Sequence, residues 1–432
     1  MFIIYNLVQL FCFSIGLPYW IYLLVRKQKY RHKLKERLGI GYPEKVKVQF
    51  KDKTERILIH GVSVGEVNAA FPLIEHLHKE RKYLPVLSTT THTGYKSATE
   101  KNPPHPVLYF PLDFLFSVKR FLNLVRPKMI IMLETEIWPN FYLESQKRHI
   151  PLILINARLS DKSFNGYHLF LPFFKRILKS VSHIAVQTPE DRSKFLQLHF
   201  PEQKISIIGN LKFNSAIQKK SKSHEVEFLS TLQGFTEYPV FVAGSTQPEE
   251  EKVILSLFRN ILKRIPHLKL ILAPRHIERI PDIENVLKGL SLPYSFFSRV
   301  KSGARSESVI LVDTIGDLFY LYSFADVVFI GKSLFPPGGG QNMIEPAVWE
   351  KPVLFGPYVK NFHHFADLML REEAAIMVRN AEELQTEVQN LLLSEEKRSF
   401  YSKKASLFIE KNTNALKKSI EIIEGISKNI FF

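Results

Sequence analysis

The chain has 432 residues, 45% of them hydrophobic, with 59 basic against 42 acidic side chains and a formal net charge of +17. That length suits two domains, the apolar content excludes wholesale disorder, and the charge asks for an anionic partner: nucleic acid, acidic lipid or a phosphorylated substrate. One cysteine, Cys12, excludes an intramolecular disulfide framework and a Cys-based zinc knuckle and fits a reducing compartment.

Residues 2–25 carry no charge, and at helical rise they span roughly 36 Å against a hydrocarbon core of about 30 Å. Arg26, Lys27, Lys29, Arg31, Lys33, Lys35 and Arg37 follow. This order is the reverse of a secretory signal, and the positive-inside rule keeps the rest of the chain cytoplasmic. Asn6, Gln9 and Pro18 interrupt the run, so a helix lying in the interface competes with a transmembrane helix, and a buried core helix is the plainest alternative. The expectation is membrane attachment through residues 1–25.

Short apolar runs then alternate with amphipathic ones. Strands are predicted at 56–62, 84–90, 107–110, 129–134, 152–156 and 183–187, with room between several of them for crossover helices. The pattern restarts at 239–243, 268–273, 308–312, 326–331 and 352–355. Such βαβ alternation predicts an α/β protein of two Rossmann-like, doubly wound domains facing a cleft. The polar stretch 212–225 is the expected linker, so the domains run 26–211 and 226–432, the latter ending in helices. Ligands of such sheets sit beyond the carboxyl ends of the strands.

Three constellations occupy those ends. His60-Gly61-Val62-Ser63-Val64-Gly65-Glu66 joins the first strand to a helix. Gly61 and Gly65 let backbone approach a ligand, Ser63 stands between them, and Glu66 is placed to take a proton from a hydroxyl. The same residues make a capping box, Ser63 as N-cap and Glu66 three positions on. Glu134-Thr135-Glu136-Ile137-Trp138-Pro139-Asn140 follows the fourth strand. Its two acids share a face but lack further ligands for a metal, no D-x-D occurs, and a turn with solvated acids is the alternative. In the second half, Gly244-Ser245-Thr246, Ala273-Pro274-Arg275-His276, Gly331-Lys332-Ser333 and Gly338-Gly339-Gly340-Gln341-Asn342-Met343-Ile344-Glu345 each follow a strand or open a helix. Arg275 suits a phosphate, a glycine run before a helix offers N–H donors, and Glu345 suits ribose hydroxyls. Asn342 with Glu345 is also a capping pair. Neither a Walker A loop nor a G-x-G-x-x-G is present.

Together these segments resemble the 3-deoxy-D-manno-octulosonic acid (Kdo) transferases of lipopolysaccharide synthesis. The resemblance rests on HGVSVGE (60–66), STTTHTGY (88–95), YFPLD (109–113), ETEIWPN (134–140), INARLSDKS (155–163), QTPED (187–191), GNLKF (209–213), AGST (243–246), APRH (273–276) and GGGQNMIEP (338–346), in order over about residues 26–365. It implies a GT-B fold, CMP-Kdo as donor to the second domain, a lipid A precursor as acceptor at the first, and inverting transfer without metal or cofactor. By position, Glu66 is similar to the general base and Glu134 to a second acid of the active site. Ser245, Arg275, His276, Gly331, Asn342 and Glu345 fall in donor loops, and Lys212 matches a cleft cation. Met343-Ile344 departs from the Pro-Leu common before this Glu-Pro, and His76 and His78 add titratable groups to the first helix. The implied setting is the cytoplasmic side of a bacterial inner membrane, with membrane lipids as partners and no nucleic acid. A nucleotide-sugar 2-epimerase shares the two-domain plan but has no use for an anchor. A tethered nucleic-acid binder needs a reading module, and none is evident.

Overall fold

The computed structural model describes residues 2–26, 34–42, 50, 54–80, 83–100, 103–221, 232, 235, 237–303 and 306–431. Lys27, Lys29, Arg31 and Lys33 of the basic run, and 222–225 of the expected linker, lie outside the described residues. The chain divides into two compact units, Met1–Ser215 with Thr413–Phe432, and Ala216–Asn412.

The first unit is built on seven parallel strands: β1 (Glu55–His60), β2 (Tyr83–Thr89), β3 (Val107–Tyr109), β4 (Met129–Leu133), β5 (Leu152–Ala157), β6 (Val181–Val186) and β7 (Ile205–Ile207). Their order across the sheet is β3-β2-β1-β4-β5-β6-β7. In register, Ile59 of β1 sits opposite Leu87 and Ile131. Successive side chains point to opposite faces, and both faces are apolar. Leu58, Ile130 and Leu154 enter one core, while Ile57, Ile59, Ile131 and Ile153 enter another.

The second unit repeats the plan with β8 (Val240–Thr246), β9 (Lys269–Pro274), β10 (Tyr294–Phe296), β11 (Val309–Leu311), β12 (Val327–Ile330), β13 (Val353–Phe355) and β14 (Ile376–Met377), again all parallel. The order is β10-β11-β9-β8-β12-β13-β14, with Ala243 opposite Leu272 and Phe329. Chain direction across the sheet reverses between β1 and β4 in the first unit and between β8 and β12 in the second. Those are the switch points at which open parallel sheets leave a crevice. Two doubly wound parallel sheets were expected, and each is present.

The unit boundary at Ser215 falls inside a helix, Leu211–Ser221, where a linker was expected. Leu211, Phe213 and Ala216 are buried and hold that helix down, although the surrounding sequence is polar. The last helix, Ala415–Phe431, belongs to the first unit instead of ending the second. Its Ala415 and Ile423 pack into the core made by Val67, Ala70 and Ile74 of the helix Val64–Lys79.

Residues Phe2–Arg26 form one helix, α1. Among the described residues no helix is long and apolar enough to cross a membrane, which corrects the transmembrane expectation. The polar groups that dilute the run have partners in the body of the unit. Tyr5 donates to Asp113 Oδ2 at 3.0 Å, Asn6 exchanges hydrogen bonds with Asn140 at 2.9 and 3.1 Å, and Gln9 donates to the Asp113 carbonyl at 3.3 Å. On the rest of its surface Ile3, Ile4, Leu7, Phe11 and Ile15 are 59–76% exposed. A spanning helix would have to carry Tyr5, Asn6 and Gln9 into hydrocarbon without these partners.

Candidate active site

The turn after β1 brings backbone against the first turn of the helix Val64–Lys79. A Cβ on Gly61 would lie 3.1 Å from Glu66 Cβ, so the approach favours glycine. Ser63 is the N-cap and its Oγ accepts the Glu66 N–H at 3.3 Å. Glu66 answers with both carboxylate oxygens: Oε2 accepts the Val62 N–H and Oε1 the Ser63 hydroxyl, each at 2.8 Å. The capping geometry is therefore real. It leaves lone pairs free on both oxygens of a carboxylate that is only 8% exposed. Burial pushes the Glu66 carboxyl above the usual range, and the charge of Glu134 adds to this; the Val62 and Ser63 donors and Lys212 act against both.

Glu134 stands at the end of β4, on the other side of the switch point, with φ of +57°. Lys212 Nζ donates to its Oε1 at 3.1 Å and Arg158 Nε lies 3.9 Å from Oε2. Lys212 is itself pinned. Its N–H donates to Asn210 Oδ1 at 2.9 Å, Asn210 donates to Gln187 Oε1 at 2.7 Å, and the neighbouring Leu211 N–H donates to Asn156 Oδ1 at 3.0 Å. Asn156, Gln187 and Asn210, one from each of the segments 155–163, 187–191 and 209–213, thus help to fix the backbone that carries this lysine. Glu136, two residues on, is pushed up to about 7 by burial and by the charges of Glu66 and Glu134. The opening between β1 and β4 therefore holds three carboxylates, and one of them carries two cations.

Other motif residues hold the frame. His60 is fully buried with Nδ1 3.0 Å from Ser88 Oγ, and burial drives its imidazole down to about 3, so it is neutral and structural. Asp113 accepts the N–H groups of Asn140 and Phe141 at 3.0 and 2.9 Å, which caps the helix Pro139–Lys147; burial lifts its carboxyl to about 6 against these donors.

In the second unit, Gly244, Ser245 and Thr246 end β8 and Gly331 follows β12. A Cβ on Gly244 would meet Tyr322 Oη at 2.2 Å, and one on Gly331 would meet the Ser245 carbonyl at 2.6 Å. Both glycines are needed for the chain to pass. The Arg275 N–H donates to the Thr246 carbonyl at 3.0 Å, leaving its guanidinium exposed beyond β9. Glu345 lies in the five-residue helix Ile344–Val348, too short for its dipole to make an anion site, so the recognition groups are side chains. Burial raises the Glu345 carboxyl, while Lys219, a hydrogen bond from Asn342, and Arg275 hold it down in that order. Asn342 also caps, its Oδ1 accepting the Ile344 N–H at 3.2 Å. Arg275, Asn342 and Glu345 are thus brought together. His276 is exposed beside Arg275.

Two contributors were not foreseen. Lys219 lies in the stretch expected as linker, yet its Nζ sits 4.4 Å above the Phe319 ring and it is the main counter-charge of Glu345. Glu250, 1% exposed, accepts four backbone N–H groups: Gln247 at 2.9 Å, Lys332 at 2.7 Å, Ser333 at 2.8 Å and Leu334 at 2.9 Å. It clamps the loop after β12. The only sequence signal for this is the glutamate at N3 of a proline-started helix, which predicts the cap but not the clamp.

Residues 32–215 match the family described as 3-deoxy-D-manno-octulosonic-acid transferase (kdotransferase). A 3-deoxy-D-manno-octulosonic acid transferase of Haemophilus influenzae is 31% identical over 429 residues, covering 97% of each chain. A bifunctional glycosyltransferase/methyltransferase of Fusobacterium nucleatum is 32% identical over 94% of this chain, which spans 64% of that longer protein. Among solved structures, the UDP-GlcNAc 2-epimerase of Neisseria meningitidis matches 86% of this chain and 100% of its own, with a TM-score of 0.61 at 15% identity; this likeness shows the fold alone. On the full-length similarity to the Haemophilus protein, and on the family match over the first unit, the chain belongs to the 3-deoxy-D-manno-octulosonic acid (Kdo) transferases.

Proposed function

We propose that the protein transfers Kdo from CMP-Kdo to a lipid A precursor, with inversion, on the cytoplasmic face of a bacterial inner membrane. The observation that carries this reading is Glu66: a buried carboxylate with a raised pKa and free lone pairs, beside the switch point of the first unit. A base whose pKa approaches the working pH combines the right protonation state with a useful driving force. Glu66 takes the proton of an acceptor hydroxyl as that oxygen attacks the anomeric carbon of Kdo. The bond from that carbon to the CMP phosphate oxygen breaks on the opposite side, and CMP leaves with the electron pair. One displacement inverts the centre.

The donor half of the reading rests on the second unit. Arg275 balances the phosphate charge of the nucleotide, and Glu345 accepts hydrogen bonds from ribose hydroxyls with Lys219 and Asn342 holding its carboxylate. Ser245 and Gly331 shape the backbone against which the nucleotide lies. Glu134, tied to Lys212 and Arg158, stands next to the base. Membrane contact is assigned to the exposed apolar face of α1 lying in the lipid interface, next to a lipid acceptor.

The test is incubation of the purified protein with CMP-Kdo and tetra-acylated lipid A precursor, with products resolved by mass spectrometry. Lipid carrying one or more added Kdo units is the expected product. An unmodified lipid, or an epimerised nucleotide sugar formed without acceptor, overturns the reading.

A further inference from the structure

The donor reading gives no role to Lys332, a cation of the second unit. Lys332 follows Gly331 at the end of β12, and its backbone is fixed from both sides. Its N–H donates to Glu250 Oε2 at 2.7 Å, and its carbonyl accepts the Gly340 N–H at 2.7 Å. These bonds hold it at φ of +57°, the left-handed region that favours glycine, so a lysine here is kept against a local backbone preference. Its neighbours place it in the donor loops. Gly331 abuts Ser245 and Thr246, Thr246 accepts the Arg275 N–H, and Gly340 precedes Asn342 by two residues.

The side chain runs along the glycine loop. Lys332 Cε passes 3.7 Å from the point where a Cβ on Gly339 would stand, so the bare backbone of Gly339 is the floor under it. Lys332 is half-buried, and among the described residues no carboxylate forms an ion pair with its ammonium. Other lysines of the second unit are committed: Lys220 to Glu350 and Val348, Lys301 to Asp317, Lys219 to Glu345. A half-buried lysine on an over-determined backbone, with no counter-charge among the described residues, is arranged for an anion from outside.

We propose that Lys332 is an anion-binding residue of the donor site, its ammonium contacting a negatively charged group of the donor: the nucleotide phosphate or the carboxylate of the sugar acid. The inference rests on the assignment of the second unit to donor binding. A merely structural lysine at this φ would be replaced by glycine with no loss, and that makes Lys332→Gly the informative variant, since it relieves the backbone while removing the charge.

The experiment compares wild type, Lys332→Gly and Lys332→Met in the full chain. It measures calorimetric affinity for CMP and for cytidine, KM and kcat with CMP-Kdo, and thermal midpoint. A phosphate contact lowers CMP affinity about ten-fold or more in both variants and leaves cytidine unchanged. A carboxylate contact leaves CMP affinity unchanged and raises KM for CMP-Kdo by a similar factor. Either result, with the midpoint of the glycine variant held or raised, supports the proposal. Unchanged CMP affinity together with unchanged KM overturns it. A wild-type protein that binds no CMP overturns the donor assignment itself, and the role of Lys332 falls with it.

Discussion

Lys212 Nζ donates to Glu134 Oε1 at 3.1 Å, with its Cε passing 3.8 Å from the position a Cβ on Gly65 would take. One lysine thus answers the charge of Glu134 and lowers the proton affinity of Glu66 one loop away. The sign of its removal follows. Lys212→Met leaves the Glu134 charge less compensated, and both changes raise the Glu66 carboxyl further. A base with a raised pKa stays protonated to higher pH, so the acidic limb of kcat/KM should move upward and the loss should be larger at pH 6 than at pH 8. A pH–rate profile of the variant checks this. A limb that stays in place separates Lys212 from the base.

Much of this was legible from sequence, and the reason is physical. β1, β4, β8 and β12 are buried on both faces, so each reads as an apolar run, and the loops after them stand out as the places for chemistry. The short strands β7, β10 and β14 escaped because, at two or three residues each and largely half-buried, they carry no such run. Lys219 escaped because a cation in a polar stretch looks solvated until Phe319 and Glu345 are seen around it. The helix α1 misled for the same kind of reason. Tyr5 and Asn6 find their partners 108 and 134 residues away, at Asp113 and Asn140, a separation at which local pattern is silent.

Glu250 supplies a test of stability independent of catalysis. Its two oxygens accept four backbone N–H groups in a site that is 1% exposed. Glu250→Gln substitutes an amide NH2 for one of those oxygens, so one pair of donors then faces a donor. A buried N–H left without an acceptor costs about 1–3 kcal/mol, and two of them put the loss at roughly 2–6 kcal/mol. Equilibrium denaturation should show a lower midpoint with little change in slope. A variant as stable as wild type would mean that the loop after β12 relaxes freely around residue 250.

The apolar face of α1 makes a second prediction that needs no substrate. Ile3, Leu7 and Phe11 are 76%, 59% and 66% exposed, while the polar residues between them dock on the body of the unit. Burial of each such side chain is worth roughly 1.5–3 kcal/mol, so the triple change to Ser should weaken binding to anionic vesicles by well over a hundred-fold. Tyr5, Asn6 and Gln9 are untouched, so the helix should stay docked and the melting curve should hold. Vesicle sedimentation at low and high salt measures the effect. Undiminished binding at both salts would move the membrane contact to another surface.

The decisive variant is Glu66→Gln, because capping and catalysis make different demands on that side chain. As a cap, Glu66 accepts from the Val62 N–H and the Ser63 hydroxyl and completes the start of the helix Val64–Lys79. Glutamine also serves at this position, so the fold should survive with at most a small shift in melting temperature. As a base, the carboxylate must carry away a proton, which an amide cannot do, and the chemical step should slow by about 10²–10⁴-fold. Ser63→Ala gives the converse case. It removes the N-cap at a cost of roughly 1 kcal/mol, and it also removes a donor that lowers the Glu66 pKa. That variant should melt earlier, keep most of its turnover, and need a somewhat higher pH to reach it. Single-turnover rates with saturating donor and acceptor, beside melting curves for both variants, separate the two roles. Should Glu66→Gln turn over like wild type, the residue is a cap alone. The proton would then have to go to Glu136, the neighbouring carboxyl already lifted to about 7, and Glu136→Gln would be the variant that stalls.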